Sequence, residues 1–438
     1  MNAKHPVSLS LNVRGMGPSA TLSLNERCRE LRRQGHTVCN LGLGQSPFPI
    51  PATVVEALRA SAAENDYLPV KGLRELRGAV AEYHRRQDQI EVHPDGVIIG
   101  PGSKELMFLV QIAYYGEIII PTPCWVSYMP QARIIGRKVS RVHSSAKQGW
   151  KVTAAQFLRS FEMVHDDYRP RLLVLNYPAN PTGLTYTVDE LKEIAEVARR
   201  FHAIILSDEI YGGLHHSGEH VSIARFYPEG TIISSGLSKW CGAAGWRVGT
   251  FCFPPDLYWL LDALAAVASE TYTSVCAPVQ YAAVRAFRGG VEIERYLWHA
   301  RRILRAVGQQ CAAILQQAGL NVLVPAGAFY LWLDFSPLRE RLAARGIETG
   351  PQLCERLLEE AKVAILPGGA FARSRGELTA RLAYVDFDGA RALAASENVP
   401  LDADLPPDFT RQWCQNVISG VERLADWLTS SGNRAARV

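Results

Sequence analysis

The middle of the chain alternates short apolar segments with helical patterns, and this alternation constrains the fold more than any other feature. Apolar runs occur at LLVLN (172–176), AIILSDE (203–209) and TIISSGL (231–237). Between the first two lies TVDELKEIAEVARRFH (187–202), where apolar residues recur every three or four positions and form one stripe of a helix. This segment therefore predicts a helix packed against a sheet.

Two further observations support this interpretation. Thr187 and Glu190 have the spacing of a capping box at the start of the helix. Upstream, DGVIIGPG, SKELMFLVQIAYY and EIIIPTP follow one another as a second strand–helix–strand pattern. Strands that alternate with helices predict an α/β fold, in which helices cover both faces of a mostly parallel sheet.

The two ends of the chain predict a second, smaller domain. Residues 1–50 begin with an irregular arm, which a helix over 23–35 follows. Residues 291–438 have the pattern of a long helix, three strands with a helix among them, and a closing helix. We expect 1–50 to join this smaller α+β domain, and 51–290 to form the large domain. The proline-bearing stretch 388–409 is predicted as a long loop with a helical start.

Composition and charge predict a globular protein of the cytoplasm rather than a nucleic-acid or membrane protein. The net charge is +4 over 438 residues, without a block of like charges. The uncharged run 118–132 contains three prolines and is too short to span a bilayer, and the N-terminus has no signal-peptide pattern. Nine scattered cysteines without a CxxC pair predict free thiols. His215 and His216 lack further spaced ligands, so no metal is expected.

Chemically distinctive residues follow five of the predicted strands. In parallel α/β sheets, ligands bind beyond the carboxyl ends of the strands. The residues at these ends are, in chain order, Gly102, Ser103 and Lys104, then Trp125, Asn180, Asp208 and Tyr211, and finally Ser238, Lys239 and Arg247. We therefore expect them to meet in one cleft.

Lys239 and Asp208 predict chemistry with an aldehyde that carries a pyridine ring. A lysine in apolar surroundings loses its proton readily, because desolvation disfavours the ammonium, and a neutral amine can form an imine. An aspartate that faces a ring nitrogen keeps the ring protonated, and the cationic ring then withdraws electrons from a carbanion.

The neighbouring residues fit the other parts of such a cofactor. Tyr211 and Asn180 can hydrogen-bond a phenolic oxygen, and the indole of Trp125 can stack on a ring. A helix that starts at Ser103 presents backbone N–H groups to a phosphate, which Arg247 can bind with two hydrogen bonds. Two cations near the end of the 231–237 strand are then explained. Lys239 needs apolar surroundings to be nucleophilic, and the anion that pairs with Arg247 belongs to the ligand.

With these residues in place, the chain resembles the class I/II pyridoxal-5′-phosphate-dependent aminotransferases of the aspartate aminotransferase fold, which is fold type I. The matching stretches, in family order and covering about residues 19–390, are NLGLGQSPF, NDYLPVKG, GPGSKEL, PTPCWVSY, NYPANPTG, SDEIY, SGLSKWCGAAGWRVG and ARLAYVDF. The NPTG, D-x-x-Y and S-K-x7-R patterns are jointly very specific. One departure is Gly236, where many relatives have serine.

The resemblance implies a role for each site residue. Lys239 would form the internal aldimine and shuttle the proton, and Asp208 would pair with the pyridinium nitrogen. The remaining roles are the phenolic oxygen for Tyr211 and Asn180, ring stacking for Trp125, phosphate binding for Gly102, Ser103, Lys104, Ser238 and Arg247, the partner subunit's phosphate for Tyr67, and the substrate α-carboxylate for Arg381 and Gly44. Tyr211 is thus expected to be catalytic together with Lys239 and Asp208, and Asn180 to contact the substrate as well as the cofactor.

The implied activity is transfer of an amino group from an L-amino acid to a 2-oxo acid, with 2-oxoglutarate as the expected acceptor. The resemblance also implies a homodimer with shared active sites.

Three alternatives remain at this stage. The same cofactor can support elimination, cyclisation or oxidation of an amino acid, and a protein of this fold can also serve in binding or regulation. The GLG segment (42–44) could belong to a dinucleotide loop, but it lacks a third glycine and a following helix. Arg381 explains an α-carboxylate only, so the side chain of the substrate is not identified. Tyr128 and Trp246 are candidates for the wall of the substrate pocket.

Overall fold

A seven-stranded sheet forms the centre of the protein, whose computed structural model describes residues 8–163 and 170–430. The strands are β1 (Cys39–Asn40), β2 (Val97–Gly100), β3 (Glu117–Thr122), β4 (Val139–His143), β5 (Arg171–Asn176), β6 (Ile204–Asp208), β7 (Thr231–Gly236), β8 (Gly249–Cys252), β9 (Asn321–Val322), β10 (Tyr330–Asp334), β11 (Val363–Ala364), β12 (Leu366–Pro367) and β13 (Thr379–Ala383). The α-helices are α1 (Ala20–Arg33), α2 (Ala52–Ala60), α3 (Arg74–Gln87), α4 (Ser103–Ala113), α5 (Tyr128–Ile134), α6 (Ala154–Glu162), α7 (Val188–Arg200), α8 (Tyr258–Ser269), α9 (Ala277–Arg288), α10 (Val291–Gln317), α11 (Arg339–Ala343), α12 (Gly350–Arg356), α13 (Gly389–Glu397), α14 (Phe409–Trp413) and α15 (Gln415–Thr429).

The central sheet has the strand order β2-β8-β7-β6-β5-β3-β4, and its neighbouring pairs are parallel except at β8. Every residue of β6 and β7 is buried, as expected for strands covered by helices on both faces. The predicted mostly parallel α/β sheet is confirmed. The sequence did not indicate β8, which runs antiparallel between β2 and β7.

Helix α7 has the predicted capping box. The Thr187 hydroxyl accepts a hydrogen bond from the Glu190 amide at 3.3 Å, and the Glu190 carboxylate accepts one from the Thr187 amide at 2.7 Å. Leu191 and Ile194 on its apolar stripe are buried against the sheet. Val188, which the periodicity also assigned to the stripe, is 41% exposed, so the buried stripe begins at Leu191.

The ends of the chain form two smaller sheets. Strands β12, β13, β10 and β9 make an antiparallel sheet, and β1 pairs in parallel with β11 through Cys39 and Val363. The N-terminal segment thus lies beside the C-terminal part of the chain, whereas the domain boundaries drawn from the sequence stay predictions. The stretch predicted as a loop with a helical start contains α13, after which Arg302 donates hydrogen bonds to the carbonyl oxygens of Val399 and Pro400.

No helix in the described ranges is both long and apolar enough to cross a lipid bilayer. The nine cysteines are free thiols, and only Cys276 is exposed.

Candidate active site

A cavity of about 440 Å³ lies at the edge of the sheet where β5, β6 and β7 end. Eleven of the predicted residues line it: Gly44, Ser103, Lys104, Trp125, Asn180, Asp208, Tyr211, Ser238, Lys239, Arg247 and Arg381. The sequence did not single out six others, which are Thr21, Leu43, Asn176, Ile210, Ala244 and Tyr330. Residues far apart in the chain meet here because the carboxyl ends of parallel strands share one edge.

Two predicted residues do not line the cavity. Gly102 lies directly behind it, and a Cβ atom there would lie 2.0 Å from Nη2 of Arg247, so the glycine allows that guanidinium to approach the backbone. Tyr67 is 92% exposed and lies outside the cavity of its own chain. Its predicted role concerns the partner subunit and stays a prediction.

Lys239 follows β7 and points its amine into the cavity. Its Nζ donates a hydrogen bond to the Gly44 carbonyl at 2.8 Å and lies 5.6 Å from the ring centre of Tyr211. Burial, together with the positive charges of Arg381 and Arg247, lowers the pKa of Lys239 to about 8. The lowered pKa makes the neutral, nucleophilic form of this amine more available near physiological pH than it is for an ordinary lysine.

Asp208 ends β6 and lines the cavity with a side chain that is almost fully buried. Its carboxylate accepts hydrogen bonds from the Tyr128 hydroxyl at 2.5 Å and from the Ser234 hydroxyl at 3.4 Å. Burial raises the pKa of Asp208 to about 6, although these hydrogen bonds act in the opposite direction. Tyr128 is only 2% exposed, so it supports Asp208 from behind and does not form the substrate-facing wall that the sequence suggested. Trp246 is also absent from the lining.

Arg381 lies on β13 between two aromatic rings. Its guanidinium carbon is 4.6 Å from the ring centre of Tyr330 and 5.0 Å from that of Phe371. It donates hydrogen bonds to Oδ1 of Asn180 at 3.0 Å and to the carbonyl of Gly42. Its Nε is buried without a hydrogen-bond partner among the described residues. Since an unpaired buried donor costs about 1–3 kcal/mol, this arginine is suited to bind an anion.

The start of α4 forms the opposite end of the cavity. Arg247, in a left-handed conformation with φ of 56°, reaches over it and donates to the Ser238 hydroxyl at 3.4 Å. Nζ of Lys104 lies 5.2 Å from the ring centre of Trp125, and burial and the charge of Arg247 lower its pKa. Free backbone N–H groups at a helix start and an arginine together form a phosphate site.

Close backbone packing explains the glycine that departs from the family pattern. A Cβ atom at Gly236 would lie 2.5 Å from the carbonyl oxygen of Val248 on the neighbouring segment. A serine at this position would therefore require the backbone to move, and the glycine preserves the approach of β8 to β7.

The positive charge of the side chains that line the cavity favours an anionic ligand. Lys104, Lys239, Arg247 and Arg381 line it, and none forms an ion pair with a carboxylate among the residues that the structure describes. A phosphate and a substrate carboxylate would supply the missing charge, and the buried Asp208 suits a ring nitrogen that carries a proton. The residues present thus fit a phosphorylated pyridine aldehyde, and the fold and cavity define an enzyme that holds such a cofactor on a lysine.

Comparison with known proteins gives the family. The model of the family "Aminotransferase class I and II" matches residues 36–385. The aspartate aminotransferase of Bacillus sp. (strain YM-2) is 33% identical over 375 residues, which are 83% of this chain and 92% of the relative. The aspartate/prephenate aminotransferase of Thermus thermophilus is 35% identical, again over 83% of this chain and 91% of the relative.

A solved structure agrees with these sequence matches. The Thermus thermophilus aspartate aminotransferase with maleate superimposes with a TM-score of 0.81 at 31% identity, and the match covers 96% of this chain and 99% of the other. The chain belongs to the class I and II aminotransferases. It is a pyridoxal-phosphate-dependent enzyme that transfers an amino group between amino acids and 2-oxo acids, and this prediction from the sequence is confirmed.

Proposed function

We propose that each predicted residue acts on the cofactor or the substrate from the position that it has in the cavity. Lys239 holds the cofactor through its amine, and Asp208 keeps the ring nitrogen protonated. The other roles are hydrogen bonds to the phenolic oxygen from Tyr211 and Asn180, ring stacking by Trp125, phosphate binding by Ser103, Ser238, Arg247 and the backbone at Gly102, and α-carboxylate binding by Arg381 and Gly44.

The bound cofactor supplies an electron sink that makes the α-hydrogen of an amino acid acidic. The residues of the chain position this reaction and move its proton. Lys239, once displaced by the incoming amino group, would accept the α-proton on its neutral Nζ and deliver it to the former aldehyde carbon of the cofactor. Arg381 orients the substrate through its carboxylate, while Trp125 covers the ring and excludes water from that face.

One observation carries the proposal: Lys239 lines a cavity that is also lined by a buried carboxylate and three further cations. Its lowered pKa, about 8, follows from this setting. We expect borohydride to fix the cofactor covalently to Lys239 in the wild-type enzyme but not in a Lys239→Ala variant, as peptide mass spectrometry measures. Addition of an amino donor without an acceptor should convert the visible absorbance of the wild type to that of the aminated cofactor.

Two results would contradict the proposal. One is a wild-type enzyme that borohydride leaves unlabelled at Lys239, and the other is a Lys239→Ala variant that retains the wild-type spectrum and turnover. As a control, Lys147→Gln changes an exposed lysine of the surface and should alter neither labelling nor spectrum.

We further propose that the preferred donor is a dicarboxylic amino acid such as aspartate, with 2-oxoglutarate as acceptor. Arg381 accounts for one carboxylate and Arg247 for the phosphate, which leaves Lys104 as a lining cation for a second carboxylate. Two relatives are named as aspartate and aspartate/prephenate aminotransferases, and the Thermus structure contains maleate, a dicarboxylate. This assignment goes beyond the phosphate-side role that the resemblance implied for Lys104.

Replacing Lys104 by glutamine tests the substrate class. We expect kcat/KM for aspartate to fall about tenfold to a hundredfold, since a charge-assisted hydrogen bond is lost, while kcat/KM for alanine changes little. Steady-state kinetics with both donors measure the ratio. An equal loss for aspartate and alanine would instead place Lys104 on the cofactor.

The proposal also includes a cytoplasmic homodimer in which Tyr67 of one subunit reaches the phosphate of the other. The exposure of Tyr67 in the single chain and the family expectation support this arrangement.

A further inference from the structure

Tyr330 is a cavity residue to which neither the sequence patterns nor the resemblance gave a role. It is buried on β10, with 1% of its surface exposed. Its hydroxyl lies 2.7 Å from the Tyr211 hydroxyl and 3.5 Å from Nδ2 of Asn180, and its ring centre lies 4.6 Å from the guanidinium carbon of Arg381. Tyr330 thus contacts Tyr211 and Asn180, which are proposed to bind the phenolic oxygen, and Arg381, which is proposed to bind the substrate carboxylate.

The register of two strands places Tyr330 beside Arg381. Arg381 on β13 lies opposite Trp332 on β10, and Tyr330, two residues earlier, shares that face of the sheet as the diagonal neighbour. Gly44 supplies the space for the hydroxyl, since a Cβ atom at this position would lie 2.1 Å from the Tyr330 oxygen. Backbone geometry therefore fixes the position of the ring.

The direction of the hydrogen bond between the two tyrosines follows from counting donors. Tyr211 has one hydroxyl proton, and in its proposed role it donates that proton to the phenolic oxygen. Its own oxygen then accepts a hydrogen bond, and the Tyr330 hydroxyl is at the right distance to donate one. A donor to this oxygen polarises the Tyr211 O–H group and strengthens the hydrogen bond that it gives.

We propose that Tyr330 is a positioning residue for the aminotransferase reaction, with two separable functions. Its hydroxyl directs and strengthens the hydrogen bond of Tyr211 to the cofactor, and its ring holds the guanidinium of Arg381 in the plane that binds the carboxylate. The inference rests on the proposed function, because it takes the roles of Tyr211 and Arg381 from there.

The Tyr330→Phe variant tests the hydroxyl. With a weaker hydrogen bond from Tyr211, more negative charge remains on the phenolic oxygen, and this charge stabilises a proton on the Lys239 nitrogen. We expect the pKa of the lysine-bound cofactor, read from its visible absorbance against pH, to rise by about half a unit or more. The Kd of maleate should change by less than about twofold, since the ring still packs on Arg381.

The Tyr330→Leu variant tests the ring, and we expect the Kd of maleate to rise about fivefold to tenfold. Tyr384→Phe is the matched control, because Tyr384 is a buried tyrosine outside the cavity, and we expect neither quantity to change. Incorporation of 3-fluorotyrosine at position 330 keeps the shape of the side chain and makes its hydroxyl a stronger donor, so the absorbance pKa should then fall.

The outcomes separate the two proposals. If borohydride does not label the wild-type enzyme at Lys239, the proposed function fails. If the wild type is labelled, but Tyr330→Phe and the fluorotyrosine enzyme have the same absorbance pKa as the wild type, the hydroxyl has no positioning role. If Tyr330→Leu binds maleate as the wild type does, the role of the ring is overturned.

Discussion

At the scale of single residues, the site keeps ionisable groups at a cost in stability. Asp208 is 3% exposed, and burial holds its pKa at about 6 in the cofactor-free protein, compared with 3.8 for an ordinary aspartate. The folded state therefore binds this proton more tightly than the unfolded chain does. Stability from this group is present at low pH, is lost as the pH rises from about 4 to about 6, and stays lost above that range.

We expect Asp208→Asn to change stability and activity in opposite directions. We expect the cofactor-free variant to be more stable than the wild type above about pH 6, by up to roughly 3 kcal/mol, because a shift of two pKa units has about this value. Below about pH 4 the two proteins should unfold alike. Aminotransferase activity should fall about a hundredfold or more, since the ring nitrogen loses its acidic partner. Urea unfolding at several pH values and steady-state rates are the measurements.

The exposed Asp404 provides the control for this prediction. Its side chain is fully exposed, so Asp404→Asn should leave both the pH profile of stability and the activity unchanged. A cofactor-free Asp208→Asn protein that is less stable than the wild type near neutral pH would show that the hydrogen bonds from Tyr128 and Ser234 outweigh the cost of burying the charge.

At the scale of elements, the sequence predicted strand ends better than it predicted what packs behind them. Asn180, Asp208 and Lys239 each follow an apolar run, and such runs are readable because both faces of the sheet are buried. Tyr330 lies on β10, within the part of the chain (291–438) for which the sequence predicted three strands. Its contact with Arg381 depends on the register of β10 against β13, which one sequence does not specify.

Tyr128 was misplaced for a similar reason. It comes three residues after Trp125, and only the packing of α5 behind β6 directs its hydroxyl to Asp208 rather than towards the substrate. Strand β8 was missed because it has only four residues and follows a glycine-rich turn, without a helix before it.

The packing of β8 on α4 predicts a remote effect on cofactor binding. A Cβ atom at Gly249 would lie 2.1 Å from the backbone nitrogen of Ser103, at the proposed phosphate site. We expect Gly249→Ala to displace the start of α4 and to raise the Kd of pyridoxal phosphate about tenfold or more. Gly245→Ala is the matched control, because no atom lies within 4 Å of its Cβ position. Equal affinity of both variants, measured by fluorescence titration, would mean that the helix start does not bind the phosphate.

At the scale of the whole molecule, the cavity draws on both ends of the chain. Gly44 comes from the N-terminal segment, Lys239 from the central sheet, and Arg381 from the antiparallel sheet. If the packing between these parts changed, the end of the site that binds the carboxylate and the end that binds the phosphate would be affected independently of each other. Tyr67, a predicted phosphate ligand, lies away from the cavity of its own chain, so its role depends on the oligomeric state.

A mixture of two impaired variants should recover activity if the active sites are shared. In a hybrid dimer of Lys239→Ala and Tyr67→Ala subunits, one site combines an intact Lys239 with an intact Tyr67, and the other site contains both substitutions. We therefore expect activity to return when the two proteins are unfolded and refolded together, and sedimentation to give twice the mass of the chain. The control uses Tyr115→Ala in place of Tyr67→Ala. Tyr115 is also an exposed tyrosine, with 84% of its surface accessible, and no ligand is proposed for it. The Tyr115→Ala variant alone should therefore keep full activity. If the refolded mixture of the Lys239 and Tyr67 variants is no more active than the sum of its parts, each active site is built from one chain and the role of Tyr67 is wrong.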